Sequence, residues 1–135
     1  MNKLQLLITV ILLMLAASAY SQQMYDRTGS LIGRYESGTI YNRSGSVEGH
    51  IDSQRFYDRS GSYMGYELNH RYYDRSGSYI GYRSNGRIYD RTGSYLGYID
   101  SDRVYDRTGS LIGMVRDVPH TVVALVYFFG FYPLR

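Results

Sequence analysis

Carboxylates and hydroxyls, groups that often do chemistry in proteins, recur together along this 135-residue chain. Five aspartates each stand two residues before a serine or threonine: Asp26, Asp58, Asp74, Asp90 and Asp106. A calcium site gathers six or more oxygen ligands with several carboxylates, whereas one carboxylate beside a hydroxyl is what a capped turn requires. The pattern therefore favours turn capping over calcium binding.

The remaining reactive side chains do not assemble into a recognisable catalytic or metal motif. His50, His70 and His120 show no paired spacing, and the chain has no cysteine to join them. The serines recur as a repeat position, so none is singled out as a nucleophile with an orienting partner. The glycines are not followed by a helix, as a phosphate-binding loop requires. We expect no catalytic residue, no metal, no cofactor and no enzymatic activity.

Tyrosine is the residue type with the most promise for binding, with 17 copies and no tryptophan. Tyr66, Tyr82 and Tyr98 occupy one repeat position, which Arg34, His50 and Met114 hold in other copies. Exposed tyrosine rings can stack on sugar faces while their hydroxyls form hydrogen bonds. The favoured alternative is that these rings pack on neighbouring strands, because short strands need bulky cross-strand pairs.

Most of these side chains belong to a sequence repeat of 16 residues, which determines their spacing along the chain. A tyrosine followed by Asp or Asn begins each of six copies: Tyr25, Tyr41, Tyr57, Tyr73, Tyr89 and Tyr105. A second glycine position follows in every copy: Gly33, Gly49, Gly65, Gly81, Gly97 and Gly113. Such a fixed period is the signature of a repeat architecture.

Each copy reads as two short strands separated by two kinds of turn. Residues 90–94, "DRTGS", predict a type I turn with Gly93 at a positive φ. Asn85 and Gly86 predict a two-residue hairpin turn, which places Tyr82 opposite Tyr89. Strict alternation along the next strand would put Leu96 and Tyr98 on the face opposite Tyr95.

One such hairpin is too small to be stable alone, so the hairpins must bury a shared face. We predict an all-β, ring-like closed array of short antiparallel hairpins, because closure also removes exposed strand edges. The two ends, residues 24–26 and 110–113, each lack a partner and could form one further hairpin together. Five complete hairpins would then lie between them, from about Ser30 to Arg107.

The C-terminal segment, residues 119–135, is apolar and aromatic, and its run of apolar residues is too short to span a bilayer. We expect it to lie buried across or within the ring. Asp117 and Pro119 favour a helix slightly, while the β-branched and aromatic residues suit a strand. Docking to a membrane or a partner is the less favoured alternative.

Residues 1–21 predict a secretory signal peptide, with Lys3, an apolar stretch and small residues before a polar start. Cleavage is expected after Ala19 or Ser21. The mature chain, 22–135, is then one domain with repeats from about 24 to 118. Without Lys3 it has 14 basic residues (15 minus 1) against 12 acidic ones. That balance gives no reason to expect a nucleic-acid partner.

The unit "YYDRSGSYIGYRSNGR", residues 72–87, resembles the repeats of the secreted 5-fold β-flower proteins of Bacteroidota. The resemblance runs from Tyr25 into the apolar C-terminus. It implies hairpins arranged like petals with approximate radial symmetry, and no established activity. Six repeat starts depart from five-fold symmetry, so the terminal halves must combine or one must stay outside.

These features together predict an exported, periplasmic or extracellular protein that is a non-enzymatic structural or interaction module of the cell envelope. The alternative is a carbohydrate-binding module that uses Tyr66, Tyr82 and Tyr98. The partner would be a glycan or another envelope protein.

Overall fold

The computed structural model describes residues 2–20 and 22–134, with side chains described for 2–11 and 22–134. Ser21, one of the two expected cleavage positions, lies outside these residues. Helix α1 (Lys3–Tyr20) precedes the repeats. No helix among the described residues is long and apolar enough to cross a membrane.

Residues 23–116 form one closed antiparallel barrel in which four-residue and six-residue strands alternate. The strands are β1 (Gln23–Asp26), β2 (Leu31–Glu36), β3 (Thr39–Asn42), β4 (Val47–Asp52), β5 (Arg55–Asp58), β6 (Tyr63–Leu68), β7 (Arg71–Asp74), β8 (Tyr79–Ser84), β9 (Arg87–Asp90), β10 (Tyr95–Asp100), β11 (Arg103–Asp106) and β12 (Leu111–Arg116). Each strand pairs with its neighbours along the chain, and β1 also pairs with β12. The predicted all-β closed array of hairpins is confirmed.

The two ends of the repeat region build the last hairpin together. Met24 pairs with Val115, and Tyr25 pairs with Met114. Five hairpins joined by two-residue turns occupy the rest of the circumference, from β2 to β11. The barrel therefore has six equivalent units, because the terminal halves combine and neither stays outside.

The aspartates cap the turns at one end of the barrel, which we call the Asp-turn end. Asp90 Oδ1 accepts hydrogen bonds from the Thr92 N–H at 2.8 Å, the Thr92 hydroxyl at 2.6 Å and the Ser94 N–H at 3.0 Å. Gly93 has the expected positive φ of 85°. The same bonds recur at Asp26, Asp58, Asp74 and Asp106. Turn capping is thus the role that the aspartates have in the structure.

Asn42 replaces aspartate in the second unit, and its neighbour explains the change. Its Oδ1 makes the same turn bonds, to Ser44 and Ser46, at 3.0 Å each. Its Nδ2 donates a hydrogen bond of 2.8 Å to Glu48, a residue that stands where the other units have Ile, Met or Leu. A second carboxylate at position 42 would repel Glu48.

Replacing Asp90 with asparagine is expected to make the barrel less sensitive to acid. Hydrogen bonds from the Thr92 hydroxyl and the Ser94 and Thr92 amides lower the pKa of Asp90. Because the pKa of Asp90 is lower in the folded than in the unfolded chain, its carboxylate stabilises the fold above about pH 4, the ordinary aspartate pKa. This stabilisation is lost as the pH falls through the pKa that Asp90 has in the folded chain. Asparagine keeps the turn bonds and cannot titrate, as Asn42 shows.

Melting temperatures measured from pH 7 to pH 2 should therefore fall less steeply for Asp90→Asn than for the native chain. Ser84→Ala, at an exposed residue of the opposite end that carries no titratable group, is the control and should leave the steepness unchanged. An identical pH dependence in the native chain and Asp90→Asn would show that the turn carboxylate is not linked to acid stability.

A β-bulge in every long strand changes which side chains face outward. In β10, Tyr95 pairs with Tyr89 and Gly97 pairs with Ile88, so Leu96 is the extra residue. Leu96 packs against the core, while Tyr95 contacts the Tyr89 ring on the outer surface. The prediction that Leu96 and Tyr98 share a face opposite Tyr95 is wrong, because strict alternation fails across a bulge.

Each short strand directs one side chain into the barrel. These six side chains are fully buried: Met24, Ile40, Phe56, Tyr72, Ile88 and Val104. Each long strand adds the repeat glycine and, two residues later, one further inward side chain. Those later residues are Tyr35, Ile51, Glu67, Arg83, Ile99 and Val115. The glycines leave the middle of the barrel wide, so something else must fill it.

The C-terminal segment fills that space, as predicted. Helix α2 (His120–Tyr127) enters from the end with two-residue turns, and residues 128–134 continue without regular structure toward the Asp-turn end. Val122, Val123, Ala124 and Leu125 of the helix are buried, as are Tyr132 and Leu134 beyond it. The slight preference for helix is confirmed for the first half of the segment only.

Six side chains of this segment each lie against one repeat glycine, in reverse chain order. The pairs are Tyr127 with Gly113, Phe128 with Gly97, Phe129 with Gly81, Phe131 with Gly65, Tyr132 with Gly49 and Leu134 with Gly33. A Cβ at Gly81 would lie 2.8 Å from the Phe129 ring, and one at Gly33 would lie 2.7 Å from Leu134. Because glycine has no side chain, each of these six positions leaves a space against the barrel wall, which we call a seat. The C-terminal segment packs one side chain into each seat.

The two seated tyrosines also satisfy backbone carbonyls at the bulges. The Tyr127 hydroxyl donates to the Tyr25 carbonyl at 2.7 Å, and the Tyr132 hydroxyl donates to the Tyr57 carbonyl at 2.8 Å. Burial raises the pKa of both phenols, so they remain neutral donors. The segment is thus part of the core in both its apolar and its polar contacts.

Candidate functional site

Three adjacent strand pairs present the same four side chains on the outside of the barrel. We call these groups the Tyr/Arg clusters, each made of one arginine and three tyrosines. The first is Arg55, Tyr57, Tyr63 and Tyr66; the second is Arg71, Tyr73, Tyr79 and Tyr82; the third is Arg87, Tyr89, Tyr95 and Tyr98. In each, the arginine pairs across strands with the last tyrosine, and the other two tyrosines pair with each other.

The rings of neighbouring clusters are in contact. Tyr66 of the first cluster stacks on Tyr73 of the second, with ring centroids 4.7 Å apart and planes 13° apart. Tyr82 of the second cluster stacks on Tyr89 of the third with the same 4.7 Å separation. The predicted pairing of Tyr82 with Tyr89 is confirmed. The tyrosine ring contacts form three separate sets, which together make an aromatic band: Tyr57 with Tyr63, Tyr66 with Tyr73 and Tyr79, and Tyr82 with Tyr89 and Tyr95.

The three tyrosines singled out from the sequence lie on this band and are half-buried. Tyr66 and Tyr82 use one ring face for the stacks just described. Tyr98 lies beside the turn of the preceding unit, where a Cβ on Gly86 would be 3.1 Å from its ring. These three side chains therefore pack on neighbouring residues and also remain partly exposed on the outer surface.

A second set of outward-facing tyrosines was not predicted from the sequence as binding candidates. Tyr63, Tyr79 and Tyr95 are inclined by 61°, 53° and 58° to the ring that each contacts. Tyr63 and Tyr95 are 38 % and 37 % exposed. Their repeat position holds Leu31, Val47 and Leu111 in the other units. The sequence did contain a signal for these residues, because the three repeats that have tyrosine at this position are the same three that carry Tyr66, Tyr82 and Tyr98.

A shallow surface groove of about 630 Å³ lies over the first cluster. Its lining residues are Ser53, Gln54, Arg55, Tyr57, Tyr63, Tyr66, Glu67 and Leu68. Aromatic surface, a guanidinium and turn hydroxyl or amide groups thus meet in one open concavity. This mixture suits a flat, hydroxyl-rich ligand, which packs an apolar face on tyrosine while its hydroxyls form hydrogen bonds.

The remaining units carry variants of the cluster with fewer tyrosines. His50 stacks on Tyr57 at 4.7 Å, and the Arg34 guanidinium lies 4.0 Å over the Tyr41 ring. Arg34 also forms an ion pair with Glu36. Met114 stands opposite Tyr25 in the hairpin made from both ends. The aromatic band is therefore limited to one side of the barrel.

Inside the barrel, a polar network interrupts one otherwise apolar repeat position in two adjacent units. Arg83 forms a salt bridge of 3.2 Å with Glu67, and its Nε donates to the Tyr72 hydroxyl at 3.1 Å. The Thr121 hydroxyl, in the first turn of α2, donates to Glu67 at 2.8 Å. Burial, with the nearby Arg83 charge, lowers the pKa of His120 beside this network. The network ties α2 to two of the six units.

These contacts select one rotational position for the C-terminal segment. Six nearly equivalent glycine seats would not by themselves distinguish among six orientations of the segment. Among the side chains that the structure describes, the hydrogen-bond partners of Thr121 are Glu67 and Arg83, which belong to two adjacent units. A buried polar contact that specifies register is the best-attested use of such groups.

Replacing Arg83 with methionine is expected to lower the free energy of unfolding by about 3–5 kcal/mol, because the buried Glu67 carboxyl group would lose its ion-pair partner. The Arg83 and Glu67 side chains are only 15 % and 9 % exposed. The control is the double variant Glu67→Leu with Arg83→Met, which removes both charges and should recover most of the loss. Urea unfolding measures both variants. Equal losses in the single and double variants would contradict a paired burial.

The groups considered for metal binding stay apart. The turn aspartates lie on separate turns, His50 lies in the outer surface, and His70 lies in a two-residue turn. Within residues 2–20 and 22–134, no three His, Asp or Glu side chains gather as metal ligands would.

The architecture defines the class of protein: a closed barrel of hairpin repeats whose interior is filled by the chain's own C-terminus. The family model described as 5-fold beta-flower protein matches residues 21–132. The chain therefore belongs to the 5-fold beta-flower family, and its sixth unit is the hairpin made from both ends. It matches no curated protein and no solved structure.

Proposed function

We propose that this protein is an exported, non-enzymatic interaction module of the cell envelope, and that its Tyr/Arg clusters bind carbohydrate. The observation that carries the proposal is the threefold recurrence of one arginine with three tyrosines on adjacent strand pairs. Packing alone would not require this set of residues. The other units of the same barrel have His50, Arg34 or Met114 at the repeat position of Tyr66, Tyr82 and Tyr98.

The repetition also supports binding over catalysis. A catalytic site concentrates unlike groups at one place, whereas the outer surface offers three like clusters side by side. The polar residues that do break the repeat, Glu67 and Arg83, are bonded to Tyr72 and Thr121 inside the barrel. Several weak equivalent sites suit a polymer that can occupy them together.

Export remains part of the proposal. An apolar N-terminal stretch, residues 4–15, followed by small residues supports a signal peptide. The absence of cysteine is compatible with an oxidising compartment, because the barrel is held by ladder hydrogen bonds and the seated C-terminal segment. The apolar tail is engaged in the core, which favours a glycan or protein partner over a membrane.

The test is binding to a glycan array and to purified peptidoglycan by the mature chain and by a triple variant of Tyr66, Tyr82 and Tyr98 to alanine. We expect the native chain to bind and the triple variant to lose detectable binding. Met114→Ala, at the same repeat position in a unit without a full cluster, is the matched control. A folded native chain that retains no glycan would refute carbohydrate binding. Loss of the fold in the triple variant would assign the rings to structure.

A further inference from the structure

The three Tyr/Arg clusters are evenly spaced around the barrel. Each lies on a short strand and the following long strand, so equivalent side chains are two strands apart. Directly across two strands from Arg55 lies Tyr73, two residues beyond the equivalent Arg71. With neighbouring strands about 4.8 Å apart and a rise of about 3.3 Å per residue, equivalent residues of consecutive clusters are therefore roughly 12 Å apart. That distance is comparable with the length of a disaccharide. A linear glycan lying across the strands would thus meet a similar cluster at every second sugar.

The row has no gap between its clusters. The Tyr66 and Tyr73 rings join the first cluster to the second, and the Tyr82 and Tyr89 rings join the second to the third. The inclined rings of Tyr63, Tyr79 and Tyr95 recur once per cluster beside these stacks. An extended ligand would therefore meet tyrosine rings in every cluster and at both junctions between clusters.

The arginines add one positive charge at each step. Arg71 stands between Leu68 and Tyr82 on the neighbouring strands, and Arg87 stands between Ser84 and Tyr98. Within the part of the chain that the structure describes, no ion pair involves Arg55, Arg71 or Arg87. Arg55 alone has an acidic cross-strand neighbour, Asp52. The exposed guanidiniums are thus placed to take carboxylates from a ligand, which arginine binds in a bidentate manner.

We infer that the three clusters form one continuous binding row for a linear polysaccharide that carries one carboxylate per disaccharide. This inference rests on the proposed carbohydrate binding and names the class of glycan. Each cluster would hold one disaccharide, with the sugar on the tyrosines and the carboxylate on Arg55, Arg71 or Arg87. Single-stranded nucleic acid also uses aromatic rings and basic residues. The row suits it less, because the Tyr66–Tyr73 and Tyr82–Tyr89 stacks leave no space for a base between the rings.

The test compares hyaluronan oligosaccharides, which have one carboxylate per disaccharide, with neutral chitin oligosaccharides of equal length. Calorimetry on the mature chain should show affinity for hyaluronan rising with each added disaccharide up to three and then levelling off. Hyaluronan of three disaccharides should bind at least tenfold more tightly than chitin, and the difference should shrink as salt screens the charges.

Variants separate the charge from the aromatic contribution. Arg71→Gln combined with Arg87→Gln should weaken hyaluronan binding about tenfold or more and weaken chitin binding far less, because chitin carries no carboxylate for the guanidiniums to bind. Arg91→Gln, an exposed arginine of a neighbouring turn outside the row, is the control. These exposed arginines can be replaced without disturbing the core, so melting temperatures should stay unchanged.

Other outcomes would overturn the inference in distinguishable ways. Equal affinity for hyaluronan and chitin, or an affinity that does not depend on oligosaccharide length, would refute a row that binds one carboxylate per disaccharide. The proposed carbohydrate binding would still stand. Tighter binding of oligothymidylate than of hyaluronan would assign the row to nucleic acid. No binding of any glycan by the folded chain would overturn both the inference and the proposed function.

Discussion

A chain that ends after Val118 is expected not to form the barrel, since it lacks the segment that fills the interior. Six side chains seated on the repeat glycines would be lost, together with four buried residues of α2. Burial of one large apolar side chain contributes about 1.5–3 kcal/mol. The six seated side chains with Val122, Val123 and Leu125 therefore supply roughly 14–27 kcal/mol, an upper estimate because the unfolded chain already buries part of this surface. That amount equals or exceeds the whole stability of a typical domain, about 5–15 kcal/mol.

Circular dichroism and thermal melting measure the result. The truncated chain should show no cooperative transition, and adding a synthetic peptide of residues 119–135 should restore it. A chain that ends after Tyr132 is the matched control: it loses only the seat of Leu134 at Gly33 and should fold with a lowered melting temperature. A cooperative transition in the chain that ends after Val118, without peptide, would show that the strands close without the segment.

Replacing Gly81 with alanine is expected to cost about 3 kcal/mol or more, because the added carbon has no room. It would press on the Tyr89 carbonyl oxygen of the neighbouring strand and would lie 2.8 Å from the Phe129 ring. Neither obstacle can rotate away, because the first is backbone in a ladder and the second is seated in the core.

Gly77→Ala, in the turn that precedes the same strand, separates this packing cost from the loss of glycine's freedom. Gly77 has a φ of 85°, and a Cβ there would meet nothing within 4 Å. The left-handed conformation alone should cost about 1–2 kcal/mol. Urea unfolding of the two alanine variants gives the comparison. A loss at Gly81 no greater than at Gly77 would mean that the interior has spare room.

The sequence predicted the features of this protein that depend on neighbouring residues. The aspartate turns, the two-residue turns and the stack of Tyr82 on Tyr89 follow from residue types at short spacing, where local hydrogen bonding and strand pairing decide the outcome. The sequence left open whether the two ends, 24–26 and 110–113, would combine or one would stay outside, and the pairing of Met24 with Val115 shows that they combine.

Other features depended on packing that no local pattern reveals. The bulge at Leu96 put Tyr95 on the outer surface, because a single extra residue reverses the alternation beyond it. The repeat glycines could be read as places of close approach, but which side chain fills each one was not predictable. The order from Tyr127 at Gly113 to Leu134 at Gly33 results from how the segment winds inside the ring.

The candidate site divides in the same way. Tyr66, Tyr82 and Tyr98 could be found by their repeat position alone, as could the presence of many arginines. Their assembly with Tyr63, Tyr79 and Tyr95 into one outward row required the bulges, which turn both sets of rings to the same face. The link from Thr121 to Glu67 joins residues 54 positions apart and required the filled barrel.

The sequence by itself determined the six repeat starts, the short hairpin strands and their turns, because a strict period of 16 residues repeats the same local preferences six times. Only the tertiary structure decided how the interior is filled, which ring faces which way and which unit holds the helix. The physical reason is that six similar units are locally interchangeable. They become distinct only when a single, unrepeated segment packs against all of them at once.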